Sequence, residues 1–231
     1  MIVAPSAFVD YQRLEAGLQA HLGRHAAVAC RSTDGDVSTL APIERPAIAR
    51  AIPHRRKEFA AGRSAAREAM QRLGRPVTSI PVQHDRSPQW PADLVGSISH
   101  SRETCISVVA LKSHWNAVGV DVEPDQDLPR ELWNLIGLPN EIWRASALSR
   151  AVQARWMTRI FSAKEAYYKW AYPQTSCMLN FHDVEIVMDP TMESTEFSAH
   201  PLNWQDNGVL PELLTGRLMI DQGMVISLLI Q

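Results

Sequence analysis

The stretch GVDVEP, residues 119–124, decides how the rest of the sequence is interpreted. Its valines suit a buried strand, yet Asp121 and Glu123 place two carboxylates in the middle of it. Side chains alternate across a strand, so both acids point to one face with Cα atoms about 7 Å apart. Buried carboxylates without a partner repel each other and take up protons, and a divalent cation removes that problem. A strand end whose acids simply face solvent is the alternative explanation.

Hydrophobic periodicity predicts helices and strands on both sides of this stretch. Helices are predicted over residues 55–73 and 149–170, where apolar side chains recur at helical spacing. Apolar runs predict strands at residues 105–111, 117–123, 184–188, 216–220 and 224–230. The short KSHWN segment between the first two strands predicts a hairpin. Each half of the chain runs from helix to strands, which predicts an α+β fold of two similar halves that meet near residue 115.

A second polar constellation lies in FSAKEAYYKW, residues 161–170. Glu165 and Lys169 are four residues apart and therefore share one face of the predicted helix. An exposed ion pair explains the same spacing, as does a capping box with Ser162 as the cap and Glu165 three residues later. The capping box is the weaker of these alternatives, because helical periodicity already begins near residue 149.

Small residues and a histidine precede the first predicted strand, in WPADLVGSISHS, residues 90–101. Gly96, Ser97, Ser99 and His100 suit the close approach of backbone amides to an anion. A structural histidine is the alternative interpretation of His100.

The start of the first long helix is basic, in RRKEFAAGRSAAR, residues 55–67. Arg56, Arg63 and Arg67 lie seven and four residues apart and share one helix face. This arrangement suits an anionic ligand, although an exposed charged face would look the same.

Composition excludes several classes of protein. The chain has 231 residues, 45% hydrophobic residues and a formal net charge of −2, so no global basic field favours nucleic acid. No apolar run approaches the roughly 18 residues of a membrane span, and the N-terminal residues lack the pattern of a secretory signal. The three cysteines are far apart and match no zinc, redox or disulfide pattern, which favours a reducing cytosol.

Four motifs in this order resemble the 4′-phosphopantetheinyl transferases, in particular the surfactin-type branch and its relatives among enterobactin synthetase components. GVDVE at 119–123 and FSAKEAYYK at 161–169 match the two main markers of the family. RRKEFAAGRSAA at 55–66 and PQWPADLVGSISH at 88–100 match two further segments of the enterobactin-like branch. The resemblance covers roughly residues 50 to 172. Ser87 departs from the pattern, because relatives often have glycine before that proline.

The resemblance implies a pseudo-dimer of two α+β halves, residues 1–115 and 116–231, with coenzyme A in the cleft between them. It implies Mg²⁺, for which Mn²⁺ can substitute, held by Asp121 and Glu165, with Glu123 as a third ligand or a water-mediated partner. The catalytic residues would be Glu165, Lys169 and Glu123, and either glutamate could be the base. The residues expected to contact coenzyme A are Arg55, Arg56, Arg63, Arg86, Ser99, His100, Lys164 and Lys169, and the helix register leaves open whether Arg55 or Arg56 does so.

The resemblance also implies the reaction and its partners. The phosphopantetheine arm of coenzyme A would move to a serine of an apo acyl, peptidyl or aryl carrier protein, releasing 3′,5′-ADP. We expect a cytoplasmic monomer that works in secondary metabolism, such as siderophore synthesis, that does not bind nucleic acid and that has no membrane span. The alternatives are another magnesium-dependent phosphohydrolase and a non-catalytic module that binds coenzyme A.

Overall fold

A computed structural model describes residues 9–189, 195–202 and 210–231. The helices are α1 (Tyr11–Gln19), α2 (Pro53–Arg72), α3 (Trp133–Ile136), α4 (Pro139–Ser146) and α5 (Arg150–Thr175). The strands are β1 (Ala26–Ser32), β2 (Leu94–Ser101), β3 (Thr104–Leu111), β4 (Val118–Pro124), β5 (Val184–Met188), β6 (Glu196–Pro201), β7 (Leu214–Asp221) and β8 (Met224–Ile230). Short 3₁₀ helices cover Val37–Thr39, Arg45–Ile48, Arg130–Leu132 and Phe181–Asp183.

The N-terminal half is built on an antiparallel sheet of three strands in the order β1-β3-β2. Its central strand β3 is buried along nearly its whole length, because helix α2 covers one face of the sheet and α1 packs on β1. The contact face of α2 consists of alanines and Met70, whose small volume lets the helix approach the sheet closely.

The C-terminal half is built on a five-stranded sheet in the order β4-β8-β7-β6-β5. The 26-residue helix α5 crosses this sheet and buries an apolar stripe that includes Trp156, Ile160, Tyr167 and Trp170. Strand β4 forms the edge of the sheet, where Asp121 pairs with Ser227 of β8. The acidic strand therefore lies at the boundary with the N-terminal half.

Serine side chains join the two sheets at this boundary. The β4 amides that do not face β8 are satisfied from β2: Val120 N donates to Ser97 Oγ at 3.1 Å, and Val122 N donates to Ser99 Oγ at 3.3 Å. Both serines are buried. A hydroxyl thus replaces the carbonyl that a neighbouring strand would have supplied, and β4 of one half is held against β2 of the other.

The α+β class and the two halves are confirmed, but the predicted hairpin is wrong. Strands β3 and β4 do not pair with each other, because each pairs within its own sheet. The GSISH residues precede β3 as expected, and they themselves belong to a strand, β2, that was not predicted. Ser162 lies within α5 and contacts Ser227 Oγ at 3.0 Å, which excludes the capping box. Within the described residues, no helix combines the length and the apolar character needed to cross a membrane.

Candidate functional site

Helix α5 and strand β4 touch at Gly119, and this contact creates the site. A Cβ atom on Gly119 would lie 2.0 Å from the Ala166 carbonyl oxygen and 2.8 Å from the Trp170 backbone nitrogen. Only glycine therefore allows the helix backbone to lie so close to the strand. The close packing brings Asp121 of β4 next to Lys169, one helical turn beyond Glu165 on α5.

Asp121 lies at the centre of the site and is almost completely buried. Its Oδ1 accepts hydrogen bonds from Ser99 Oγ at 2.9 Å and from Lys169 Nζ at 2.5 Å. Lys169 Nζ also donates to Ser99 Oγ at 3.0 Å. Asp121 Oδ2 is buried and has no hydrogen-bond partner among the described residues. A buried carboxylate oxygen without a partner is costly and indicates a binding position for a cation or donor.

Glu123 and Glu165, both half-buried, flank this aspartate. Burial and the negative charge of Asp121 raise the pKa of Glu123 to about 7, while Lys169 and a 3.3 Å hydrogen bond from Ser101 Oγ act in the opposite direction. The pKa of Glu165 is also raised, mainly by burial, with Lys169 lowering it and Asp121 raising it. The two glutamates therefore stand in a region crowded with negative charge, which a bound cation would relieve.

These side chains provide the hard oxygen ligands that Mg²⁺ prefers. Across residues 9–189, 195–202 and 210–231, however, no three His, Cys, Asp or Glu side chains are close enough to hold one metal ion together. Lys169 supplies the positive charge next to Asp121 instead. The residues fit a metal through the free Asp121 Oδ2 and the excess of carboxylates, provided that Lys169 gives way at Oδ1 and the glutamates turn inward.

A cleft of about 1230 Å³ opens beside the acidic cluster, between the two halves. This volume exceeds the roughly 300–1,000 Å³ of a usual small-molecule pocket, so the cleft has room for an extended ligand. Helix α5 contributes Tyr168, Lys169 and Tyr172 to its wall. Helix α2, the segment before β2 and β2 itself form the opposite side, which includes Arg55, Glu58, Phe59, Gly62, Arg63, Arg86, Trp90, Ser97 and His100.

His100 contacts the start of α2 at the floor of the cleft. Its Nε2 touches Arg55 Nη1, and its Nδ1 lies 3.5 Å from Glu58 Oε1. Glu58 in turn binds Arg55 at 3.1 Å. Burial lowers the pKa of His100, with Arg55 and Lys169 acting in the same direction and Glu58 opposing them. The imidazole is therefore held by Arg55 and Glu58 at the edge of the cleft and is not an isolated core histidine.

Arg63 is the buried arginine of the cleft. Its Nε donates to the Ile80 carbonyl at 2.7 Å, and its guanidinium stacks 4.2 Å from the centre of the Phe59 ring. Burial lowers the pKa of Arg63 to about 10, although the Glu44 carboxylate partly offsets this effect. A buried and oriented guanidinium is suited to a phosphate or to the edge of a base.

The turn at residues 83–87 closes the outer end of the cleft. Arg86 occupies this turn with a positive φ of 73° and lines the cleft. Asp85 accepts a hydrogen bond from Tyr172 Oη at 2.9 Å, so the turn of one half is tied to α5 of the other.

Three of the predicted coenzyme A contacts are not among the residues that line the cleft. Ser99 is buried, and its Oγ bonds to Asp121, Lys169 and the Val122 amide. Arg56 donates to the carbonyls of Ala51 at 2.8 Å and Ala49 at 2.9 Å, two residues that border the cleft, whereas Arg55 lines the cleft itself, which favours Arg55 in the open choice of register. Lys164 is 2% exposed and points into the C-terminal half, where it pairs with Glu141 at 2.7 Å. The expectation that Lys164 contacts the cofactor does not fit its position, because its ammonium group is enclosed there.

Sequence reasoning missed Ser97 as a structural link between the sheets, and it missed Glu58 and Tyr172 as cleft residues. Glu58 was within reach of such reasoning, since it lies three residues after Arg55 and four before Gly62 on one helix face. No local pattern marks Tyr172, because its partner Asp85 is 87 residues away in the sequence.

Comparison with known proteins adds two family matches. A family described as the 4′-phosphopantetheinyl transferase N-terminal domain matches residues 43–110. The 4′-phosphopantetheinyl transferase superfamily matches residues 117–210. The first match includes the arginines of α2 and His100, and the second includes Asp121, Glu165 and Lys169.

Similar curated proteins carry consistent names. The 4′-phosphopantetheinyl transferase PptT of Mycobacterium tuberculosis is 35% identical over 197 residues, which cover 82% of this chain and 85% of that protein. The 4′-phosphopantetheinyl transferase Svp of Streptomyces mobaraensis is 37% identical over 158 residues, covering 68% and 64% of the two chains. Enterobactin synthase component D of Escherichia coli is 34% identical over 136 residues, covering 58% and 62%. The chain thus spans less than two thirds of the last two proteins.

Proposed function

This chain belongs to the 4′-phosphopantetheinyl transferase family, and on that premise we propose that it transfers the 4′-phosphopantetheine arm of coenzyme A to a serine of an apo carrier protein. The observation that carries the proposal is the buried Asp121, whose Oδ2 has no partner in the part of the chain that the structure describes and which lies beside a large cleft lined with arginines. Binding of a cation and a pyrophosphate at this position would satisfy both the acid and the neighbouring bases.

Arg55, Arg63, Arg86 and His100 support placement of the nucleotide end of coenzyme A in the cleft, because all four line it. Coenzyme A carries its negative charge on the pyrophosphate and the 3′-phosphate. Guanidinium groups bind phosphate oxygens with paired, charge-assisted hydrogen bonds. Lys169 lies at the inner end of the cleft beside Asp121, where it would meet the pyrophosphate.

Mg²⁺ would be held by Asp121 and Glu165, with Glu123 as a third ligand or a water-mediated partner. When bound, it would neutralise charge on the pyrophosphate during transfer. Ser99 would orient Asp121 through the hydrogen bond to Oδ1. Lys169 would leave Oδ1 and bind a phosphate oxygen, so that the same ammonium serves the empty and the loaded site.

The chemical step is a phosphoryl transfer with a serine oxygen as the nucleophile. A bond forms between this oxygen and the β-phosphorus of coenzyme A, and the bond from that phosphorus to the bridging oxygen breaks. The bridging oxygen leaves with 3′,5′-ADP, while Glu165 or Glu123 takes the serine proton. Positioning and charge neutralisation account for most catalysis of this kind.

The setting of the reaction is part of the proposal. Relatives named enterobactin synthase component D favour carrier proteins of secondary metabolism, such as siderophore synthesis. We propose a monomer that acts in the cytoplasm.

A single experiment tests the proposed function against its alternatives. The protein is mixed with coenzyme A, Mg²⁺ and a panel of apo acyl, peptidyl and aryl carrier proteins, and each carrier is weighed by mass spectrometry. We expect a mass gain of one phosphopantetheine group on at least one carrier. Release of phosphate without a carrier adduct would favour a phosphohydrolase, and binding of coenzyme A without turnover would favour a binding module.

A further inference from the structure

A buried ion pair lies behind the site, on the face of α5 that the proposed reaction does not use. Lys164 and Glu141 join α5 to α4, and their side chains are 1% and 0% exposed. Lys164 Nζ donates to Glu141 Oε2 at 2.7 Å, to the Ile136 carbonyl at 3.0 Å and to the Phe181 carbonyl at 2.7 Å. All three donors of the ammonium group are therefore used.

The carboxylate is bonded just as completely. Glu141 Oε2 also accepts from Leu138 N at 2.7 Å, and Oε1 accepts from Ile186 N at 2.6 Å. The pair thus connects α5 to the C-terminal end of α3, to the N-terminus of α4, to the 3₁₀ helix before β5 and to β5 itself. No other buried ion pair found in the described residues joins α5 to so many segments.

Stability alone is a weak reason for this arrangement. Burying two charges costs several kcal/mol per ion, and apolar replacements of similar volume are often neutral or stabilising. The pair makes one hydrogen bond within itself and four to fixed backbone groups. Unlike an apolar contact, such a pair is compatible with only one rotation and one axial position of the helix. The neighbouring stripe of Trp156, Ile160 and Tyr167 supplies burial without this directional restraint.

Glu165 follows Lys164 directly in α5. The hydrogen bonds that hold Lys164 therefore also restrain the helix backbone from which the Glu165 side chain projects. We propose that Lys164 and Glu141 are a positioning pair that sets the rotation of α5 and thereby aims Glu165 at Asp121. This inference rests on the proposed function, in which Glu165 and Asp121 hold a metal ion. Gly119 fixes how closely the helix approaches the strand, and the ion pair fixes how the helix is turned.

The expected effect is large because the site tolerates little displacement. Misplacement by 1 Å in a site of this kind can cost about 10²-fold in rate. The double variant Lys164→Met/Glu141→Gln removes both charges together and so avoids leaving one buried charge unpaired. We expect it to fold, with Mn²⁺ affinity reduced at least roughly tenfold and kcat reduced about 10²-fold.

The test measures Mn²⁺ binding to the full chain by calorimetry, together with kcat, the thermal midpoint and coenzyme A binding in EDTA. Arg144→Met is the matched control, because Arg144 pairs with Glu185 at 2.9 Å and so joins α4 to β5, with no hydrogen bond or ion pair from its side chain to α5 within the described residues. We expect wild-type Mn²⁺ affinity in the control. Coenzyme A binding in EDTA should be unchanged in the control and should weaken less than Mn²⁺ binding in the double variant, since the cleft arginines belong to the other half and Lys169 is the basic residue that α5 contributes.

Wild-type Mn²⁺ affinity and kcat in the folded double variant would overturn the proposal. Should that variant fail to fold, Glu141→Asp replaces it: the charges remain, but the carboxylate is withdrawn by one methylene. An unchanged Mn²⁺ affinity in Glu141→Asp would overturn the proposal equally, and a weaker affinity would support it. The two proposals can fail separately. If the wild type transfers nothing to any carrier but the variant still loses Mn²⁺ affinity, the positioning pair is supported and the proposed reaction is not.

Discussion

Helix α5 carries two lysines that each pair with a carboxylate, and the surroundings of the two pairs differ. Lys164 and Glu141 are 1% and 0% exposed, and each of their polar atoms is bonded. Lys169 and Asp121 are 25% and 3% exposed, and Asp121 Oδ2 has no partner among the described residues. The first pair is closed, whereas the second is open towards the cleft.

The difference teaches how to distinguish a structural ion pair from a binding site when both are buried. A closed pair has no capacity left for a ligand, so its contribution must come from the segments that it connects. In an open pair, one carboxylate oxygen is buried without a hydrogen bond, which costs desolvation free energy. Only binding of a further partner to that oxygen offsets this cost. Lys169 is held by two hydrogen bonds at the edge of the cleft, so it can exchange them for a phosphate oxygen.

Removing the carboxylate of the open pair should have the largest effect. We expect Asp121→Ala to abolish detectable transfer, because the buried ligand position is lost, while the thermal midpoint stays within a few degrees. Transfer is measured from the mass of the carrier protein, and the wild type in EDTA serves as the comparison. Full activity of Asp121→Ala, or of the wild type in EDTA, would show that the reaction does not depend on a metal ion at Asp121.

Removing the lysine of the open pair should separate metal binding from catalysis. Lys169→Met is expected to lower kcat by about 10²–10³-fold, the scale for losing one preorganised electrostatic donor. Mn²⁺ should bind at least as tightly as in the wild type, because a competing positive charge has left Asp121. Calorimetry and steady-state kinetics give the two values. Weaker Mn²⁺ binding in Lys169→Met would show that Lys169 supports metal binding, as we propose for Lys164, instead of competing with the metal for Asp121.

The sequence predicts the members of the open pair, because the motifs that carry them are local, but it does not predict their contact, which joins residues 48 apart. Asp121 and Glu123 alternate along one strand, and Glu165 and Lys169 lie one turn apart, so strand periodicity places the first two on one face and helix periodicity places the last two on one face. The bounds of the predicted strands and helices agree with the structure to within a few residues, except that α5 continues to Thr175, whereas periodicity did not indicate α1, α3, α4, β1, β2 or β6.

The closed pair could not be predicted in the same way. Lys164 adjoins the site motif, but its partner Glu141 comes from a separate helix 23 residues earlier, and only the packing of α3 and α4 brings the two together. The pairing of β4 with β8 rather than β3 has a similar origin, since strand partners more than 100 residues apart are chosen by shared burial and not by local turns. Ser97 and Ser99 acquire their role only once β2 lies beside β4.

The contact that keeps the open pair together should be sensitive to one methyl group. Gly119→Ala places a Cβ atom against the Ala166 carbonyl, and backbone atoms cannot move aside like a side chain. We expect a loss of about 1–3 kcal/mol in the free energy of unfolding. Transfer should fall by about 10²-fold, because α5 is pushed away from β4 by roughly 1 Å. Denaturant unfolding and kinetics of the same sample measure both, and an unchanged rate would show that the helix position is not critical.

The smallest effects are expected in the N-terminal half, at two arginines that the sequence places on the same face of α2. Arg63→Ala should raise the KM for coenzyme A roughly tenfold, because one charge-assisted contact to phosphate is lost. Arg56→Ala is the matched control on the same helix, and we expect less than a threefold change, because Arg56 does not line the cleft and its guanidinium is occupied by the Ala49 and Ala51 carbonyls. Both variants are assayed with coenzyme A and with 3′-dephospho-coenzyme A. A loss confined to coenzyme A would place Arg63 at the 3′-phosphate, whereas an equal loss with both substrates would place its contact elsewhere on coenzyme A. A larger effect in Arg56→Ala than in Arg63→Ala would reverse the assignment of the helix face.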